Sequence, residues 1–137
     1  MDTRLPAEIR PVLDNGIPAA MVTCSGDGVP NATAISQVYY VSETHVALSF
    51  QFFNKTIRNV RENPRAHVTV HDIHGKSLWM LELEFERSET EGPVFDAMDM
   101  QIEAIASMTG MTGIFKLRAA DIYRVISVER QFYPPHV

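Results

Sequence analysis

Six consecutive residues near the middle of the chain alternate between apolar and acidic side chains. Leu81, Leu83 and Phe85 alternate with glutamates at positions 82, 84 and 86. Side chains of a β-strand point alternately to the two faces of its sheet, whereas one face of a helix recurs every three to four residues. The segment therefore predicts a strand with one dry face and one face open to water or to basic partners.

Shorter patterns of the same kind extend this prediction along the chain. We predict strands at residues 19–24, 31–40, 45–51, 66–72, 114–117 and 122–128, with Ala119-Ala120-Asp121 connecting the last two. In the strand at 45–51, Ala47, Ser49 and Gln51 share a face that we expect to be polar.

Two segments instead have helical spacing. Residues 54–63 are predicted to form a helix that ends at Asn63-Pro64, and residues 92–107 are predicted to form a second helix. Strands joined mainly by short turns, with a helix inserted after the third and the fifth, fit a mainly β fold with peripheral helices. The best match is a Greek-key-like barrel that is closed or partly closed.

The composition excludes several classes of protein. The chain has 137 residues, 45% of them apolar, and lacks repeats or linker-like segments, so we expect residues 1–137 to form a single domain. Its net charge of −5, without a long run of either sign, argues against nucleic-acid or anionic-membrane partners. No apolar stretch approaches the roughly 20 residues of a membrane span, and no signal peptide is evident. We expect a cytoplasmic protein.

The most informative segment for function is residues 49–65, which combines a strand end, a polar bend and a basic helix start. The first backbone N–H groups of a helix have no intrahelical partners and carry partial positive charge, so they attract phosphate groups. Lys55, Thr56 and Arg58 would add donors. The residues alone leave two interpretations open, which are an anion site and a solvated amphipathic helix.

This segment resembles a known family. The strand, the Lys-containing bend and the Asn-Pro-Arg ending at residues 63–65 are similar to those of the pyridoxamine 5′-phosphate oxidase-like FMN-binding split barrels. The earlier Gly-Asp-Gly-Val-Pro-Asn turn and the later Phe-Lys-Leu and Ile-Tyr-Arg-Val segments follow in the family's order, over residues 15–128. The resemblance implies a six- to seven-stranded split barrel that forms a homodimer, with two FMN sites at the subunit interface.

The resemblance also implies the residues of the FMN site. Asn54, Lys55 and Thr56 would hold the phosphate, with help from Arg58, and Ser49, Phe50 and Gln51 would line the approach to the ring and ribityl chain. The backbone of Ala34, Ile35, Ser36 and Gln37 would face the polar edge of the flavin ring. No catalytic residue is implied, because the flavin itself carries out the redox step.

Two departures from the family pattern qualify this expectation. Ala34 stands where the oxidases have an Arg that reaches the phosphate. The oxidases also carry a C-terminal segment whose Arg and His residues grip the substrate, and we do not expect its equivalent here, because the sequence runs out at residues 131–137. We therefore expect an FMN-dependent oxidoreductase with a small-molecule substrate other than a B6 vitamer. The alternative is a non-catalytic module that carries flavin, the deazaflavin F420 or haem.

A metal site is not expected. His67 and His71 share a strand face but lie about 13 Å apart along an extended chain, which is too far for both to bind one ion. Cys24 is the single cysteine, so a thiolate cluster and an internal disulfide are both excluded. We expect the methionines near residue 100 to fill the core.

Overall fold

The computed structural model describes residues 3–14, 19–35, 37–50, 54–108, 110 and 117–135, without the side chains of Phe50, Asn54, Lys55 and Ile105. Strands dominate these ranges. The elements are α1 (Ile9–Asp14), β1 (Ala19–Cys24), β2 (Pro30–Ile35), β3 (Val38–Tyr40), β4 (His45–Phe50), α2 (Asn54–Glu62), β5 (Arg65–Asp72), β6 (Ser77–Glu89), α3 (Pro93–Met108) and β7 (Ala119–Phe132).

The seven strands form one antiparallel sheet in the order β2-β1-β5-β6-β7-β4-β3. The two edge strands, β2 and β3, are consecutive in the chain, and Ile35 and Val38 are three residues apart. Three residues span at most about 11 Å, so the two edges must lie close together. The sheet therefore curls into a split barrel, which confirms the predicted mainly β fold class. We call residues 35–38, where the two edges meet, the seam.

The alternation in β6 has the predicted effect. Leu81 and Leu83 are fully buried in the barrel interior. The glutamates on the other face contact side chains of three other strands, namely Glu82 with His67 of β5 at 2.6 Å, Glu84 with Arg124 of β7 at 3.5 Å and Glu86 with His45 of β4 at 3.0 Å. The open face thus meets basic partners within the same chain.

Two strand predictions were wrong. The predicted strand at 31–40 is divided, because the chain leaves one edge of the sheet at Ile35 and joins the opposite edge at Val38. The predicted connection at 119–121 lies inside β7, which runs without interruption to Phe132. The predicted strand at 114–117 falls outside the described residues except for Leu117.

The prediction of a polar face on β4 is also wrong, because α3 packs on that face. Ala47 is fully buried and lies in one cluster with Ala120 of β7 and with Met98 and Ile102 of α3. The small alanine side chains leave room for the helix to approach the sheet. Ser49, on the same face as Ala47, is buried as well.

Candidate functional site

The predicted anion site lies where β4 ends at Phe50 and α2 begins at Asn54. Thr56, in the first turn of α2, is 5% exposed, and its hydroxyl oxygen accepts a hydrogen bond of 3.3 Å from the side-chain amide of Asn31 on β2. Because the oxygen acts as the acceptor, the Thr56 hydroxyl proton can be donated to another group. Thr56 is therefore a pre-positioned donor at a helix N-terminus.

A small internal cavity lies below this turn, between β1, β4, α2 and β7. Its volume is about 10 Å³, which is room for about one water molecule. The lining residues are Met21, Leu48, Ser49, Thr56, Ile57, Asp121 and Tyr123. The structure thus brings together Ser49 and Thr56, two of the residues predicted from the sequence, and adds two polar residues of β7 that were not predicted.

Asp121 is the more informative of these two additions. It is 5% exposed, and its carboxylate accepts a hydrogen bond of 2.6 Å from the hydroxyl of Ser88 on β6. Burial raises the pKa of Asp121, while the Ser88 hydrogen bond and the positive charge of Arg61 partly oppose that rise. The cavity therefore contains a carboxyl group that keeps its proton to a higher pH than an exposed aspartate.

Tyr123 lies beside Asp121 in the same cavity and is also buried. Its burial, together with the charge of Asp121, raises the pKa of the phenol, so Tyr123 stays neutral over the whole physiological range. One sequence signal marks this region, since the third residue of β7 is an aspartate among apolar residues. A charged residue in a buried strand is rare unless it has a partner or a function.

Two polar contacts fix α2 against the barrel. The side-chain amide of Asn59 donates to the hydroxyl of Thr23 on β1 at 3.1 Å, and both residues are buried. At the end of the helix, the carboxylate of Glu62 accepts a hydrogen bond of 2.8 Å from the backbone N–H of Gly26 in the β1–β2 turn. These contacts hold the N-terminus of α2 over the cavity.

The seam contributes the second predicted set of residues. Ile35 is buried in the barrel, whereas Ala34 is exposed. Gln37 is 3% exposed, and its amide nitrogen donates to the side-chain oxygen of Gln101 on α3. The amide oxygen of Gln37 has no hydrogen-bond partner among the described residues. A buried acceptor without a partner is costly, so this atom is suited to a donor from a ligand.

Several predicted site residues cannot be placed. Ser36 and Gln51 lie outside the described residues, as do the side chains of Phe50, Asn54 and Lys55. Arg58 is exposed on α2 and lines an open groove instead of the internal cavity.

Comparison with known proteins identifies the family. The family model described as pyridoxamine 5′-phosphate oxidase matches residues 5–126, which is most of the chain. The chain belongs to this family. No curated protein sequence is significantly similar to this member of the pyridoxamine 5′-phosphate oxidase family.

Solved structures show the same fold at low sequence identity. An FMN-binding protein from Syntrophomonas wolfei subsp. wolfei has a TM-score of 0.74 and 14% identity, over 88% of this chain and 82% of that protein. An F420 reductase has a TM-score of 0.64 and 12% identity, over 91% and 98% of the two chains. HutZ, the haem storage protein from Vibrio cholerae, has a TM-score of 0.60 and 13% identity, over 93% and 95%.

Two further findings concern the described residues alone. None of the helices there combines the length and the apolar character that a membrane crossing requires. The same residues contain no cluster of three or more His, Cys, Asp or Glu side chains arranged to hold a metal ion.

Proposed function

We propose that this protein binds FMN where β4, α2 and the seam converge, and that it acts as a small FMN-dependent oxidoreductase. The observation that carries the proposal is the small cavity beneath the first turn of α2, where Ser49, Thr56 and Asp121 are buried together among apolar side chains. Ionisable side chains with shifted pKa values occur in functional sites more often than elsewhere in proteins. The membership of the pyridoxamine 5′-phosphate oxidase family supports a phosphorylated flavin as the ligand.

The residues near α2 fit the phosphate of FMN. The first backbone N–H groups of the helix have no intrahelical partners, and the hydroxyl of Thr56 can donate because its oxygen accepts from Asn31. Asn54 and Lys55 belong to the same turn, and Arg58 follows one turn later. We assign Asn54, Lys55 and Thr56 to the phosphate, with Arg58 adding positive charge.

The seam fits the polar edge of the flavin ring, which presents both donors and acceptors. The amide oxygen of Gln37 can accept from a ring N–H. Because β2 is an edge strand, backbone groups of Ala34 and Ile35 are available on the side away from β1. We place Ser36 in the same set, and we place Ser49, Phe50 and Gln51 along the ribityl chain and the ring.

The bound flavin would supply the redox chemistry, since its ring accepts a hydride or single electrons reversibly. The protein would position the ring and exclude water. We infer that the donor is a reduced nicotinamide or deazaflavin and that the acceptor is a small molecule of unassigned class. Asp121 is suited to hold a proton next to the phosphate end of the site, because burial raises its pKa.

We also propose that the protein is a homodimer, with the cofactor sites at the subunit interface. Two methionines of α3 support this, since Met100 is 72% exposed and Met108 is 85% exposed instead of filling the core as expected. Exposed flexible apolar side chains of this kind are common at protein interfaces. Light scattering coupled to gel filtration should give twice the mass of the chain, and a monomer of about 15.4 kDa would contradict the proposal.

A second candidate function is a non-catalytic carrier of a flavin, of the deazaflavin F420 or of haem. The observation that favours it is Ala34, which is exposed where the resemblance to the oxidases calls for an Arg on the phosphate. The loss of that contact would weaken FMN binding. The fold shared with a haem storage protein is compatible with this candidate.

The visible absorption spectrum tests both candidates. The purified protein is measured before and after addition of FMN and passage through a desalting column. A retained flavin spectrum that NADH or NADPH bleaches supports the oxidoreductase, whereas a retained but unreactive flavin or a Soret band supports the carrier. Lys55→Ala should weaken FMN retention more than Arg61→Ala, and equal effects would contradict the phosphate assignment.

A further inference from the structure

An open groove of about 410 Å³ runs along the exposed side of α2 and is lined by Ile57, Arg58, Arg61 and Glu62. We propose that this groove binds the phosphate or carboxylate groups of a second small-molecule anion, which is the cosubstrate of the flavin reaction. The identification as a cosubstrate rests on the proposed function. The anion site itself rests on the groove.

The two arginines place two positive charges side by side on α2, and the charge of Arg61 also acts on the carboxyl group of Asp121. Arg58 and Arg61 are three residues apart on one helix, so their side chains lie on the same face. Both are exposed, and no ion pair joins either guanidinium group to a carboxylate among the described residues. Like charges at this spacing repel one another, and a bound anion would remove that repulsion.

The acidic residue of the groove, Glu62, lowers the positive charge of the two arginines without cancelling it. The carboxylate of Glu62 is held by the backbone N–H of Gly26 at 2.8 Å, in the turn between β1 and β2. Helix α2 contains three basic residues and one acidic residue, although the whole chain has a net charge of −5. The groove is therefore a positive site on an otherwise negative protein, and it will concentrate small anions there.

Positive charges near the C-terminus of a helix are stabilising in general, but this effect explains only one of the two arginines. Arg61 lies in the last turn of α2, where a positive charge interacts favourably with the helix dipole. Arg58 lies in the middle of the helix, where that interaction is absent. A ligand accounts for both residues, because paired guanidinium groups bind phosphate or carboxylate oxygens through parallel hydrogen bonds.

The groove adjoins the proposed flavin site. Ile57 lines both the groove and the internal cavity that contains Thr56 and Asp121. The volume of the groove lies within the range of small-molecule sites, and Ile57 provides an apolar wall. These features fit a small amphiphilic anion that would lie beside the flavin.

Isothermal titration calorimetry with inorganic pyrophosphate tests the anion site on the FMN-loaded protein. Arg61→Ala should weaken pyrophosphate binding by about tenfold, since a hydrogen bond to a charged group contributes roughly that factor. Arg87→Ala is the matched control. Arg87 is an exposed arginine on β6 that pairs with Glu86 and Glu89, and its removal changes the net charge equally. Pyrophosphate binding that is unchanged in Arg61→Ala would overturn the proposal.

A parallel measurement of FMN retention separates this proposal from the proposed function. Arg61→Ala should keep FMN, whereas Thr56→Ala should lose part of it. If Arg61→Ala releases FMN as readily as Lys55→Ala, the groove belongs to the flavin phosphate and the cosubstrate site is wrong. If the wild-type protein binds no FMN but binds pyrophosphate through Arg58 and Arg61, the anion site stands and the flavoprotein proposal fails. Competition experiments then identify the class of ligand. Stronger displacement of pyrophosphate by phosphate indicates a phosphate-bearing ligand, and stronger displacement by malonate indicates a carboxylate-bearing one.

Discussion

The hydrogen bond between Asn59 and Thr23 offers a direct test of what holds α2 on the barrel. Both residues are 3% exposed or less, and the amide of Asn59 donates to the hydroxyl of Thr23 at 3.1 Å. Thr23→Val keeps the shape of the side chain but leaves the Asn59 donor buried without its partner. Such an orphaned group costs about 1–3 kcal/mol, whereas replacing both partners by apolar groups of similar shape is nearly neutral. Thr23→Val/Asn59→Leu should therefore be more stable than the sum of the single changes implies.

Urea denaturation of the wild-type protein, both single variants and the double variant measures this coupling. We expect a coupling free energy of about 1–2 kcal/mol, and a melting temperature for Thr23→Val lowered by about 4 °C for each kcal/mol lost. If the two single changes add without coupling, the hydrogen bond does not hold the helix and the reasoning is refuted. FMN retention should follow the same order, because α2 carries the proposed phosphate site.

Two further predictions concern stability. Burial raises the pKa of Asp121 above its ordinary value of 3.8. The folded protein therefore binds the proton of this carboxyl group more tightly than the unfolded chain does. As a result, the free energy of unfolding falls as the pH rises from about 4 through the pKa of the folded state. Asp121→Asn should match the wild type below pH 4 and be the more stable protein near pH 7, as measured by thermal unfolding; an advantage at low pH instead would reverse the assigned sign. Leu81→Ala removes a fully buried side chain from the barrel and should cost about 2–5 kcal/mol in urea denaturation, whereas a loss below 1 kcal/mol would contradict its place in the core.

The sequence was sufficient to predict those strands that have an apolar face and a polar face. In β6, leucines on one face and glutamates on the other left one possible orientation, and the structure confirms it. The same pattern did not predict the burial of β4 or the start of β7, because α3 covers the face of these strands that lies opposite the barrel interior and both faces are therefore buried. Ala120 has little intrinsic preference for strands, and its place in β7 is stabilised by packing under Met98 and Ile102.

The residues of the candidate site likewise fall into those that local sequence predicts and those that it does not. Thr56 was predicted from local signals, since a helix start after a strand can be recognised within a few residues. Asp121 was not, because it is brought to the cavity by the pairing of β7 with β4, which joins segments about 70 residues apart. The orientation of Gln37, whose amide oxygen has no partner within the part of the chain that the structure describes, depends in the same way on the contact with Gln101 of α3. Long-range contacts of this kind leave no periodic signal in a single sequence.

The position of β7 in the sheet has a consequence for biosynthesis. Among the described strands, β7 is made last, yet it lies between β6 and β4 and alone joins the group β2-β1-β5-β6 to the pair β4-β3. Until residues 119–132 leave the ribosome, the nascent chain can form only two separate sheet fragments with open edges. The barrel, and with it the cavity lined by Asp121, therefore closes only after residues 119–132 have been translated. During that interval the exposed edges are available to chaperones and to incorrect strand pairing.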